Sequence, residues 1–268
     1  EVFLDKDEIA LFPNQFVMLV SLANEKKTAL ARFFNYRKPL GHIIDYSSKK
    51  WKIKSRNKEQ DFALNLLMDP KVNIITLIGP AGTGKTMIAL YAGLCQAVDD
   101  WHTVIPKQAQ YSRLIVTRPI QPMGKDIGYL PGTLEEKMSP WVAPINDNLQ
   151  FLLGNGRDSL KEYVNEGIIE IEALTYIRGR SINNAFIVVD EIQNMTAHEL
   201  KTVITRVGEN SKIVLMGDIE QIDNVYIDET TNGLTYAVEK FKEHDIAGHI
   251  TLTRGERSKV ATLAAKIL

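Results

Sequence analysis

"IGPAGTGKTMIAL", residues 78–90, decides the fold. It holds Gly79-x4-Gly84-Lys85-Thr86, with the apolar run "NIITLIG" (73–79) before it and the helical pattern "TMIALYAGLCQAVDD" (86–100) after it. A glycine-rich turn between a strand and a helix lets backbone N–H groups wrap phosphates, and the helix start adds its dipole. Gly79, Pro80, Ala81, Gly82, Thr83, Gly84, Lys85 and Thr86 are therefore predicted to bind a nucleotide. Lys85 reaches the β- and γ-phosphates, and Thr86 ligates Mg²⁺.

Downstream of that turn, apolar runs alternate with helical patterns. The strand-like runs are "RLIVTRP" (113–119), "IIEIEAL" (168–174), "AFIVVDE" (185–191), "KIVLMGD" (212–218) and "HITLT" (249–253). Between them lie "HELKTVITRV" (198–207) and "GLTYAVEKFKEH" (233–244). Continuously apolar strands alternating with helices predict an α/β fold, a mostly parallel sheet covered on both faces. "QDFALNLLMD" (60–69) reads as a helix ended by Pro70. Thr196 and Glu199 form a capping box, and Gly208 is expected to end the helix they begin.

Residues 1–50 read differently. "NQFVMLVS" (14–21), "TALARFF" (28–34) and "PLGHII" (39–44) are short strands separated by turn-like "LANEKK" and "NYRK". They predict a small β-module, with the larger domain over 51–268. The run "YSSKKWKIKSRNKEQ" (46–60) joins the two. Its Tyr46 and Trp51 among basic residues suit stacking on single-stranded nucleic acid, although a solvated linker has the same composition.

Composition narrows the function classes. The chain has 268 residues, 44% of them hydrophobic, and a net charge of −1, so no global basic field holds nucleic acid. Any such contact must be a local patch. One cysteine, Cys95, excludes an intrachain disulfide and reads as a buried small side chain. A reducing, cytoplasmic setting fits. No run reaches the ~18 apolar residues of a membrane span, and the five histidines lack metal-ligand spacing. The chain starts at Glu1 rather than Met, as a piece of a longer protein would.

Hydrolysis and transfer are separated by "FIVVDEIQN" (186–194). Asp190 ends an apolar strand where it can hold the metal. Glu191, next to it, is placed to orient and deprotonate an attacking water. A small-molecule kinase has no need of that second carboxylate, whereas an exposed strand end would also explain it. "VLMGDIEQID" (214–223) brings Gln221 to the same edge, where its amide can sense a γ-phosphate or cap a turn. "VTRPIQPMGKDIGYLPG" (116–132) leaves a strand at that edge and is long for a connection. Arg118 and Lys125 in it, and Arg178 and Arg180 in "YIRGRS", read equally as nucleic-acid contacts and as ion-pair partners.

"GPAGTGKT", "VTRPIQPMGKDIGYLPG", "YIRGRSINNAFIVVDEIQN", "MGDIEQID" and "GERS", in this order, resemble the PhoH-like ATPases. The resemblance implies a RecA-like P-loop core related to superfamily 1 helicases, ATP as the nucleotide, and single-stranded RNA as the partner. The upstream stretch "WKIKSRNKEQDFALNLLMDP" is similar to the branch in which a PIN-type ribonuclease domain precedes the ATPase. No acidic constellation of that kind lies before the P-loop, so a PIN domain is expected outside this chain or not at all. "DEIQN" departs from the more usual "DEAQN" only at the apolar Ile192. By likeness, Gln60 reads the adenine ring. About 200 residues supply only one core, so Arg254 or Arg257 is expected to complete a neighbour's site, in a ring of six subunits by resemblance; Arg254, directly after the strand "HITLT", also reads as acting in its own site. Arg257 also reads as a surface helix start. A rival reading is an ATP-gated oligomeric scaffold that regulates a protein partner without moving along nucleic acid.

Overall fold

The structure, a computed structural model, describes residues 2–7, 9–46, 53–98, 109–119, 134–154, 157–174, 179–224 and 226–255, with backbone only at 134–141 and 157–159. Six parallel strands form the central sheet: β4 (Ile74–Ile78), β5 (Arg113–Arg118), β6 (Ile169–Ala173), β7 (Ala185–Val189), β8 (Lys212–Gly217) and β9 (Ala247–Thr251). Their order is β6-β5-β7-β8-β4-β9. β8 thus lies between β4, which delivers the P-loop, and β7, which delivers Asp190.

Side chains of these strands alternate between two cores, as the pleat requires. Ile75, Leu77, Val116, Val188 and Val214 pack under α1 (Lys58–Leu67), α2 (Lys85–Ala97) and α3 (Leu134–Leu153). Ile74, Ile115, Ile187, Val189 and Leu215 pack under α5 (Ala197–Ile204) and α6 (Gly233–Phe241). Helix α4 (Arg157–Asn165) adjoins β6. Each fully buried aliphatic side chain contributes about 1.5–3 kcal/mol relative to exposure. The expected two-faced α/β architecture is therefore present, a RecA-like P-loop fold. Cys95 is buried in the first core.

Local chemistry sets the helix ends. Asn57 caps α1 by accepting the Gln60 N–H, so the helix begins at Lys58, two residues before the predicted start. Thr196 and Glu199 form the predicted capping box of α5. That helix stops at Ile204, earlier than the expected stop at Gly208. The Gly208 N–H is instead bonded to the Ile182 carbonyl, which pins the chain to the start of the β7 segment. α3 was not foreseen. Pro140 and Pro144 interrupt its helical pattern, yet Ile145, Leu149 and Leu152 bury one face.

The N-terminal strands β1 (Phe16–Ser21), β2 (Asn24–Arg32) and β3 (Gly41–His42) form an antiparallel sheet. β2 begins at Asn24, so most of "LANEKK", read as a turn, is strand; a β-bulge at Val20/Ser21 absorbs the irregular register. The small sheet docks on the N-terminal edge of the large one. Asn14 adopts a left-handed φ of 65° and donates to the carbonyls of Asp245 (2.7 Å) and Ala247 (2.6 Å). Arg32 pairs with Asp69 at 2.8 Å and donates to Asn14 Oδ1. Phe16 stacks on Phe62 with ring centroids 4.4 Å apart. Tyr46 is buried in the first core, its N–H donated to Asp61 Oδ1, and so cannot serve as the exposed stacking ring suggested for it. Trp51 lies outside the described residues.

Candidate nucleotide-binding site

All the strand ends named by the sequence meet at the C-terminal edge of the sheet. The P-loop, Asp190, Glu191, Asp218 and Gln221 line one cavity of about 360 Å³. The loop's path depends on its glycines. Gly84 caps α2 with φ 89°, a conformation costly for other residues. A Cβ at Gly79 would run into the Leu252 carbonyl beside β9.

Lys85 is buried and its ammonium donates to the carbonyls of Gly79 and Pro80. It is thereby held within the loop it is meant to serve. The Ala81 N–H is donated to Asp218 Oδ2 at 2.9 Å, tying the P-loop to the end of β8. Thr86 donates from Oγ1 to Asp190 Oδ2 at 3.4 Å, across the width of β8. Asp190 is 9% exposed, and burial first, then the neighbouring Glu191, pushes its carboxyl up to about 6. A hydroxyl and a desolvated carboxylate directed at each other form a hard-oxygen pair that suits Mg²⁺.

Glu191 sits in a left-handed backbone conformation with φ 58°, which turns the chain sharply after β7. One of its carboxylate oxygens accepts from Gln193 Nε2 at 2.6 Å, and the other pairs with Arg118 at 3.1 Å. The Arg118 position follows from register. Thr117 pairs with Val189 and its carbonyl accepts the Asp190 N–H, so the next residue of β5 lies beside the Asp190–Glu191 turn.

Two residues quoted in the motif but given no role prove central. Buried Gln193 donates to the Gln221 carbonyl at 3.0 Å and accepts the Asp218 N–H at 3.2 Å. Asn194 accepts the Asp223 N–H. Together they fasten the Asp190–Glu191 turn to the loop carrying Gln221. Asn148 on α3 also lines the cavity. The apolar spacing of Ile145, Leu149 and Leu152 was the available signal for that helix.

Other expected residues are placed elsewhere. Gln60 is buried, with Nε2 donated to the Thr83 carbonyl (2.9 Å) and Oε1 accepting the Arg56 N–H (2.8 Å). It braces the P-loop while keeping one N–H and one lone pair. Arg254 lines a separate cavity with Glu59 at the start of α1, where Glu59 accepts from Thr253 N and Oγ1, both at 2.7 Å. Arg180 pairs with Glu170 (3.1 Å) and Glu172 (2.9 Å), the ion-pair alternative named for it. Lys125, Arg178 and Arg257 lie outside the described residues. A further cavity of about 330 Å³ lies at the opposite end of the sheet, beside α6 and residues 12–15, and holds none of these groups. No helix among the described residues is long and apolar enough to cross a membrane.

Among solved structures, the chain is similar to the Pif1 helicase from Candida albicans, with 17% identity, a TM-score of 0.39, and coverage of 80% of this chain and 43% of that one. It is also similar to Bacteroides sp Pif1 in complex with ADP-AlF4, at 13% identity and a TM-score of 0.34 over 79% of this chain and 45% of the other. Sequence relatives are nearer. Protein PhoH2 of Bacillus subtilis is 47% identical over 266 residues, 98% of this chain and 58% of that protein. Protein PhoH2 of Thermobispora bispora is 40% identical over 217 residues, 81% of this chain and 47% of that protein. The chain thus spans about half the length of these curated relatives. The family model described as PhoH-like protein matches residues 52–267, and with the P-loop, Asp190–Glu191 and Gln221 on one cavity this chain belongs to the PhoH-like proteins.

Proposed function

We propose that the chain hydrolyses ATP with Mg²⁺ and couples hydrolysis to binding, and to translocation on or unwinding, of single-stranded RNA. The observation that carries the reading is Glu191, a second carboxylate on the cavity that Lys85, Thr86 and Asp190 line. Backbone N–H groups of the P-loop and Lys85 bind and orient the phosphates. Thr86 and Asp190 hold Mg²⁺, which when bound supplies charge neutralisation of the phosphate oxygens. Glu191 orients a water and takes its proton. Gln221, fastened to Glu191 through Gln193, senses the γ-phosphate.

Arg254 or Arg257 then completes the site of a neighbouring subunit in a hexameric ring; the exposed Arg254, away from its own P-loop cavity, supports a role outside its own site. Arg118, Lys125, Arg178 and Arg180 contact RNA in this reading. Residues 51–268 act as the ATPase domain and 1–50 as the β-module docked on it, with a PIN-type ribonuclease domain or partner as the consumer of unwound RNA. Steady-state ATP turnover with and without single-stranded RNA tests the reading, with Glu191→Gln as control. Stimulation by RNA that vanishes in the variant is expected. Turnover indifferent to RNA and to matched DNA would replace the motor with the ATP-gated scaffold. A trans arginine also requires turnover per subunit to fall on dilution; constancy down to low nanomolar protein would exclude it.

A further inference from the structure

The ion pair between Arg118 and Glu191 joins a strand-end cation to the residue proposed to activate water. We infer that Arg118 is a positioning residue that restrains Glu191, and that a nucleic-acid phosphate competing for its guanidinium releases the carboxylate for hydrolysis. This inference rests on the reading of Glu191 as the general base and of single-stranded nucleic acid as the partner.

Three features support it. Glu191 is held on both sides, by Arg118 at 3.1 Å and by Gln193 at 2.6 Å. Both carboxylate oxygens are thus engaged, and an attacking water must compete with these donors for either of them. Loss of the Arg118 contact would leave the Gln193 contact to aim it. Next, both members of the pair are 29% exposed. A half-open pair is exchangeable, because solvent screens it and its net strength is small. An arginine fork matches phosphate oxygens as well as it matches a carboxylate, so a phosphodiester reaching this edge can take it. Last, Arg118 is the final residue of β5; its backbone pairs with Ala173 of β6, and the preceding Thr117 pairs with Val189 of β7. The rigid strand lets the guanidinium change partner without moving the fold, so a partner exchange at Arg118 is felt at Glu191 and not throughout the sheet.

The test compares wild type, Arg118→Ala and Arg118→Lys for ATP turnover with and without a single-stranded RNA, with RNA affinity measured separately. Arg118→Ala should raise RNA-free kcat about fivefold, the equivalent of a pair of ~1 kcal/mol, with the KM for ATP unchanged. It should also lose most of the further stimulation by RNA. Arg118→Lys, which keeps the charge, should restore low basal turnover and part of the stimulation. A lowered or unchanged RNA-free kcat in Arg118→Ala overturns the restraint; a raised KM with it would instead make Arg118 a ligand of the bound nucleotide. If Arg118→Ala is activated while wild type neither binds nor responds to RNA or DNA, the nucleic-acid reading fails and the restraint on Glu191 stands.

Discussion

The two ends of β8 bury charge in opposite ways. At its start, Lys212 is fully buried and donates to the carbonyls of Leu67 (2.7 Å) and Asp69 (2.8 Å), beside the Arg32–Asp69 pair that seats the small sheet. At its finish, Asp218 holds the Ala81 N–H of the P-loop and faces Asp190, Glu191 and Lys85 around an open cavity. Both ends carry shifted titrations: burial brings the Lys212 ammonium down to about 7 and the Asp190 carboxyl up to about 6. A perturbed charge is therefore no sign of chemistry by itself. What distinguishes the finishing end is a cavity onto which several charged groups converge, whereas the starting end is closed around carbonyls and an ion pair.

That contrast breaks most sharply on Lys85. Lys85→Ala should lower ATP turnover by at least about 10²-fold, the scale for losing one preorganised donor to developing charge, while chemical denaturation shows wild-type stability within about 1 kcal/mol. At the closed end the effects should invert. Arg32→Met strands Asp69 beside a buried interface and should cost about 3–5 kcal/mol of stability, with turnover per folded molecule unchanged. If Arg32→Met instead slowed turnover with little loss of stability, the docked sheet would belong to the active unit and the separation of the two ends would fail.

Lys212 offers a pH test of the same end. Its folded-state pKa, about 7, lies below the unfolded value, so between these values the unfolded chain binds more protons. Stability should rise with pH from about 7 upward, the cost of burying the charged form being greatest below 7. Lys212→Met should be less stable at pH 9, since the Leu67 and Asp69 carbonyls lose a donor, and should show a flatter pH dependence. Thermal melts of both proteins from pH 6.5 to 9 measure it; parallel curves would assign the dependence to another group.

Legibility in the sequence followed the same division. The P-loop, Asp190, Glu191 and Gln221 were readable because strand-end chemistry is local: an apolar run, then a fixed residue spacing, gives the position in the sheet. The α/β core, with helices on both faces of the sheet, was readable from continuously apolar strands. What stayed hidden depends on contacts between distant positions. Nothing near Arg118 in the chain names Glu191 as its partner, because their meeting is set by the register of β5 on β7. Gln193 reads as one polar residue after a strand until its amide is seen reaching Asp218 and Gln221. α3 was obscured by Pro140 and Pro144, which break the periodic signal although the fold retains the helix. Tyr46 misled because basic neighbours suggest exposure, whereas its ring fills the first core.

The smallest expected effect concerns Gln60, which stands between the two behaviours. Its amide is spent on the fold, bracing Thr83 and Arg56, as the charges at the closed end are spent. Yet it retains one N–H and one lone pair, the complement of adenine's edge, close to the start of the P-loop helix, where a Cβ on Gly84 would touch its Nε2 at 3.0 Å. If those remaining groups read the base, Gln60→Ala should weaken ATP binding about 5–10-fold, one or two hydrogen bonds of ~0.5–1.5 kcal/mol each. GTP binding, which never used them, should then weaken less, and the preference for ATP over GTP should narrow. Titrations with non-hydrolysable analogues of both nucleotides measure that ratio. An equal loss for both would make Gln60 a brace for the loop alone, since a displaced P-loop weakens its hold on the phosphates, which the two nucleotides share.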